Sequence, residues 1–138
     1  MDYTIKVRRS EHDRHDQWLQ LCTNVACYYV FMRALRREDG VARCLEVMKH
    51  FFDVNGQATY RYIPQPGDLF LSDLHAMQSA AGWYLGHACL EYVVYRDEDP
   101  SWLWQPWDRV SCYYDNRIEA ELALDAGTWI PSLSSFSG

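Results

Sequence analysis

The chain has no apolar run near the roughly 18 residues that a membrane-spanning helix needs, which excludes a helical span from the expected architecture. Its opening residues, Met1-Asp2-Tyr3-Thr4-Ile5-Lys6-Val7-Arg8-Arg9, lack the apolar core of a signal peptide. The expected location is therefore the cytoplasm, or outside the cell by a route that uses no cleavable signal. Positive charge is in short supply: 13 Lys and Arg stand against 19 Asp and Glu, for a net charge of −6. A nucleic-acid backbone is not the partner of such a chain. Glycine-rich phosphate loops, Walker patterns and Cys-x-x-Cys pairs are missing as well, so no cofactor is expected. His12-x-x-His15 has no acidic or cysteine partner at metal spacing, and no metal site is expected. The five cysteines, Cys22, Cys27, Cys44, Cys89 and Cys112, are odd in number and lack disulfide-framework spacing, which fits buried thiols in a reducing compartment.

What remains is an ordinary globular composition with unusual aromatic content. Hydrophobic residues make up 49% and aromatics 15% of 138 residues, enough for one domain, residues 1–138, with a real core. Thr4 to Arg8 alternates as a short edge strand or arm. From Glu11 to about Arg37 the apolar residues Trp18, Leu21, Cys22, Val25, Tyr29, Met32 and Leu35 recur at three- and four-residue steps, which predicts a helix, with Ser10 and Asp13 as its capping pair. Thr23 and Asn24 leave room for a break or a helix start just before Cys22. Glu38-Asp39-Gly40 is a stop, and Val41 to Asp53 is a second helix. Ala58 to Ile63, Leu69 to Leu71, Ala80 to Gly86, His87 to Tyr95 and Val110 to Tyr114 read as strands, and Ile118 to Leu124 as a short helix. Helices first and strands after predict an α+β fold, a small antiparallel sheet with N-terminal helices packed on it.

The stretch from Gly67 to Gly86, GDLFLSDLHAMQSAAGWYLG, carries the strongest pattern. Pro64-Gln65-Pro66-Gly67-Asp68 sets a turn, Leu69-Phe70-Leu71 is a short buried strand, and Ala80 to Gly86 a second one adjacent to it. This stretch resembles the hallmark strands of the NlpC-type papain-like cysteine peptidases. There Gly-Asp-Leu leads, after a similar interval, to the catalytic His on a strand of the form His-apolar-Gly-apolar-Tyr-apolar-Gly. Thirteen residues separate Gly67 from Ala80, and Ala80 stands at the position of that His. Leu21-Cys22-Thr23-Asn24-Val25 is similar to the family's nucleophile segment, in which the Cys opens a buried helix. The resemblance thus implies a papain-like fold, Cys22 as the nucleophile, and a third catalytic position near Glu91 or Tyr92.

Two readings stand side by side. In one, the chain is a catalytically degenerate NlpC-type domain that serves as a protein-binding, inhibitory or toxin-related module. In the other, it is a cysteine amidase or peptidase acting on peptidoglycan or another amide, with His75 replacing the missing base and position 80 accounting for lost activity. His87 is the poorer substitute. Trp83 and the cluster Trp102, Trp104 and Trp107 are candidate binding residues, because aromatics dominate recognition surfaces.

Overall fold

The computed structural model describes residues 3–10 and 16–131, the side chains of 10, 16, 50 and 51 excepted. Asp13, the pair His12 and His15, and the serine-rich tail after Pro131 lie outside the described residues. In chain order the elements are β1 (Tyr3–Ser10), β2 (Asp16–Thr23), α1 (Val25–Leu35), a 3-10 turn (Glu38–Gly40), α2 (Val41–Phe51), β3 (Asp53–Val54), β4 (Gln57–Arg61), β5 (Leu69–Leu71), β6 (His75–Ser79), β7 (Gly82–Gly86), β8 (Ala88–Val93), β9 (Ser101–Pro106) and α3 (Arg117–Ala126). They form two compact units, one joining Met1–Ser72 to Cys89–Gln105, the other joining Asp73–Ala88 to Pro106–Gly138. The architecture is α+β, with a mostly antiparallel sheet. Among the described residues no helix is long and apolar enough to cross a membrane.

The first unit is a seven-stranded sheet in the order β4-β3-β2-β1-β5-β8-β9, with α1 and α2 on one face. Its register explains its core. β1 and β2 pair antiparallel with Ile5 opposite Leu21 and Val7 opposite Leu19, and Val7 also faces Phe70 of β5, which in turn faces Leu90 of β8. Alternation sends these residues to one face, where they meet Phe31, Met32 and Leu35 of α1 and Cys44, Val47 and Met48 of α2. Phe31 touches Phe70 and Phe52 edge-on, at centroid distances of 5.1 and 5.2 Å.

Three expectations change here. The long helix from Glu11 is instead a strand, β2, followed by the shorter α1, and Ser10 ends β1 rather than capping a helix. Gln17 to Thr23 also alternates, and β1 supplies a partner whose inward residues match it, so tertiary pairing overrides the helical spacing. Asn24 then starts α1, its Oδ1 accepting the Cys27 N–H at 2.9 Å. β1 is an interior strand between β2 and β5, not an edge. Finally, Leu69–Leu71 and the Gly86-terminated strand are not neighbours: β5 pairs with β1 and β8, while β7 pairs with β6 in a separate two-stranded sheet.

The second unit contains that β6–β7 hairpin, against which α3 packs. Asn116 caps α3 by accepting the Glu119 N–H at 2.9 Å, and Gly127 ends it in the left-handed region at φ 68°. Residues 107–114 run beside β7 and join it by only one isolated bridge, Trp83 to Tyr114, in place of the expected strand. The attachment is nonetheless close. Trp107 N–H donates to His87 O at 2.8 Å, Val110 N–H to Leu85 O at 2.9 Å, and Leu85 N–H to Ser111 Oγ at 2.8 Å. A Cβ at Gly86 would stand 2.3 Å from the Asp108 carbonyl oxygen and 2.9 Å from the Tyr84 ring. Gly86→Ala is expected to cost about 1–3 kcal/mol or more, because backbone must separate to admit one methyl group. A thermal midpoint equal to the wild type's would rule out this close approach.

Candidate functional site

Cys22 lies inside β2, in register with Thr4 on one side and Asp53 on the other, and is partly exposed. It does not open a helix: α1 begins at Val25 with Asn24 as its cap, the Asn24 side chain accepting from Cys27 N–H and its backbone carbonyl from Tyr28 N–H at 3.0 Å. Glu91 and Tyr92 are on β8, with β1 and β5 between them and β2. Three strand spacings, roughly 14 Å across the sheet, separate the two strands, well beyond hydrogen-bond reach. Glu91 faces Leu69, on the other side of the sheet from Phe70 and Leu90. Tyr92 has a packing role, its ring centroid 4.7 Å from that of Trp102, and its backbone bonds to Gly67 and Asp68 at 2.8 and 2.9 Å.

In the second unit, Ala80 and Ala81 form the exposed turn of the β6–β7 hairpin, where Ser79 pairs with Gly82. Ala80 is thus not on a strand: the alanines continue the apolar run, but the chain must reverse there and Gly82 takes up φ 136°. His75 is buried on β6, and its Nδ1 is 2.9 Å from the Asp73 carbonyl. His87 is better placed for acid–base work than the sequence implies. Its Nδ1 lies 2.9 and 3.1 Å from the Asp108 carboxylate oxygens, and its N–H donates to Asp108 Oδ1 at 2.8 Å. A partner 21 residues away leaves no local signal. Nearby, Arg109 stacks 4.4 Å over Tyr113, whose ring meets Tyr84 at 5.9 Å. Burial, then the neighbouring Tyr113 and Asp108, raise the Tyr84 pKa. Trp83 is half-buried on β7, and Trp107 is exposed.

Trp102 and Trp104 belong to the first unit, where β9 turns both toward the core. Trp104 Nε1 donates to the Leu35 carbonyl at 2.9 Å. Trp102 packs on Phe70 at 5.8 Å and reaches a cleft of about 420 Å³. That cleft is built by Leu45, Met48 and Lys49 of α2, which follow the one-face spacing of a helix, by Phe52 just past its end, and by Tyr62, Pro64 and Trp102. Ala58 and Arg61 of β4 line it too. β4 and β9 are the two ends of the strand order, so the sheet curls far enough to bring both edges to one cleft.

A second cleft, of about 380 Å³, shares Arg61 and Tyr62 with the first; Arg9, Asn55, Gln57 and Gln65 give it a polar side, and Leu19, Val54, Tyr60 and Ile63 an apolar one. The wall between the clefts is held by a buried carboxylate. Asp68 is fully buried and accepts from Arg9 Nε and Nη2 at 2.9 Å each, from the Tyr62 hydroxyl at 2.8 Å and from Gln65 N–H at 3.0 Å. Arg9 also donates to the Ile63 carbonyl at 3.0 Å. Burial, and then the adjacent Asp68 carboxylate, push the Tyr62 hydroxyl pKa far up, so Tyr62 remains a donor throughout the physiological range. The sequence marks Asp68 only as a turn residue. Arg9 and Tyr62, 59 and six residues away from it, carry no pattern that joins them to it.

Among the described residues, no three His, Cys, Asp or Glu side chains gather as a metal site would require. In comparisons with known proteins, the chain matches no protein-family model, no curated protein and no solved structure.

Proposed function

We propose that this chain is a binding module that takes a protein segment into the cleft between α2 and Trp102, and that it performs no hydrolysis at Cys22. The observation that carries the reading is the cleft itself. It is an open concavity lined by Met48, Phe52, Tyr62 and Trp102, with charged groups at Lys49, Asp53 and Arg61. Recognition sites combine an apolar floor and aromatic anchors with a few placed charges in this way.

The NlpC-type resemblance enters this proposal as that of a degenerate domain, protein-binding and inhibitory or toxin-related in role. A thiol nucleophile needs a base within hydrogen-bond reach and gains from a helix N-terminus. Cys22 sits on a strand, the candidate third members lie beyond two intervening strands, and position 80 is a hairpin turn.

The test is alkylation. At pH 6, iodoacetamide should modify Cys22 no faster than the partly exposed Cys27 or a free cysteine in a short peptide. Mass spectrometry of the digested protein reads the site. Fast modification confined to Cys22, with hydrolysis of a muropeptide or model amide, would instead support the cysteine amidase reading.

A further inference from the structure

We propose that the polar cleft beside the apolar one receives a carboxylate of the same bound segment on Arg61, so that the module reads an apolar side chain followed by an acid. This rests on the binding-module reading and names the chemistry of its partner.

The two clefts are not alike in charge. The polar side of the second cleft carries two guanidinium groups, Arg9 and Arg61, and the carboxamides of Asn55, Gln57 and Gln65; Leu19, Val54, Tyr60 and Ile63 complete the lining, and no carboxylate is part of it. Arg9 is neutralised there by its two-pronged bond to the buried Asp68. Arg61 is the charge left over. It is exposed on β4 and, among the described residues, has no ion-pair partner. Asp53 is its register partner across β3 and β4, yet the two make no ion pair, and Asp53 lines the apolar cleft. Arg61 alone among the cations lines both clefts. A guanidinium offers a planar fork matched to a carboxylate. A segment whose apolar side chain rests against Phe52 and Trp102 therefore has its next groups at Arg61. The overall charge of −6 does not forbid an acidic partner. Charges farther away than about 8 Å are largely screened at physiological ionic strength, so the local cation decides.

The experiment uses two capped tetrapeptides, identical except that one carries Glu and the other Gln directly after a Phe. Each is titrated into the full chain while the Trp102 indole N–H and the Arg61 side-chain N–H are followed by NMR. The Glu peptide should shift both signals and bind about five-fold more tightly at low salt, the size of one exposed ion pair. Arg61→Gln should leave Trp102 responsive and make the two peptides equal. Equal binding of both peptides to the wild type, or a preference that survives in Arg61→Gln, overturns the carboxylate proposal and leaves the apolar cleft standing. No shift of the Trp102 indole with either peptide at millimolar concentration overturns the binding-module reading itself, and this inference with it.

Discussion

Asp68→Ala should cost the chain about 3–5 kcal/mol of stability, the usual penalty for removing one partner of a buried ion pair. The carboxylate is fully enclosed, and the Arg9 side chain that meets it is only 15% exposed. Three other groups depend on it. The Tyr62 hydroxyl loses its acceptor in a buried position, Gln65 N–H loses the Asp68 carboxylate as acceptor, and the Arg9 guanidinium loses both of its bonds to that carboxylate. Donors left without acceptors in a low-dielectric interior carry their full desolvation cost. Asp68→Asn keeps an acceptor oxygen without the charge and should fall between Ala and the wild type. Arg9→Ala combined with Asp68→Ala should cost less than the sum of the two single changes, because the second removes a group already stranded. Urea unfolding followed by tryptophan fluorescence measures all four. A loss below about 1 kcal/mol for Asp68→Ala would mean that the cluster is solvated and cheap, as exposed ion pairs are.

That cluster also shows where legibility in the sequence ended. The turn at Pro64 to Asp68 was readable from proline and glycine chemistry, and Leu69–Leu71 followed from it. The use of Asp68 was not, because a carboxylate in a turn usually faces water, and neither Arg9, far off in the chain, nor Tyr62, close by, carries a pattern that joins it to Asp68. α2 was legible nearly to its ends, since Cys44, Leu45, Met48 and Phe52 share helical spacing and nothing else competes for them. The segment before α1 misled for the opposite reason. Trp18, Leu21, Cys22 and Val25 satisfy a helical period, while Leu19 and Leu21 satisfy a strand period, and only the partner β1 decides between them. A period of two over so few residues carries little weight until its cross-strand neighbours are known.

The candidate site was legible in part. Trp102 was named from aromatic content, and it does line the cleft. Lys49 and Arg61 were not named, because a lone exposed cation is the commonest kind of surface residue, and only the curl of the sheet brings β4 and β9 to one place. Cys22 and Ala80 were drawn from spacing to a family pattern. Spacing along a chain does not say which residues lie on a strand and which lie in a turn. Fold and site must be argued separately for this reason.

Raising the pH from 9 to 11 should weaken the folded state of the wild type by roughly 2 kcal/mol more than it weakens Cys44→Ala. Cys44 is 1% exposed on the inner face of α2, and its Sγ lies 3.9 Å from the Phe31 carbonyl, to which the thiol donates. Burial pushes this thiol up from 9.0 to about 12, because a thiolate there would lie among apolar side chains; a hydrogen bond from the backbone of Cys44 itself pulls the other way. The sign follows from which state holds the proton. Below pH 9.0 the thiol is neutral whether the chain is folded or not, and its contribution is fully present. Above that value the unfolded chain releases the proton while the folded chain keeps it up to about pH 12, so unfolding is favoured increasingly across that window. Cys89 and Tyr62 are shifted upward too, so both proteins should lose stability in alkali. The difference between the two curves isolates Cys44. Urea midpoints at half-unit steps from pH 8 to pH 11 would trace it, with the wild-type advantage shrinking steadily above pH 9. Curves that stay parallel over that range would mean that the Cys44 thiol is hydrated, and that the packing of α2 against Phe31 is looser than the 1% exposure of this side chain implies.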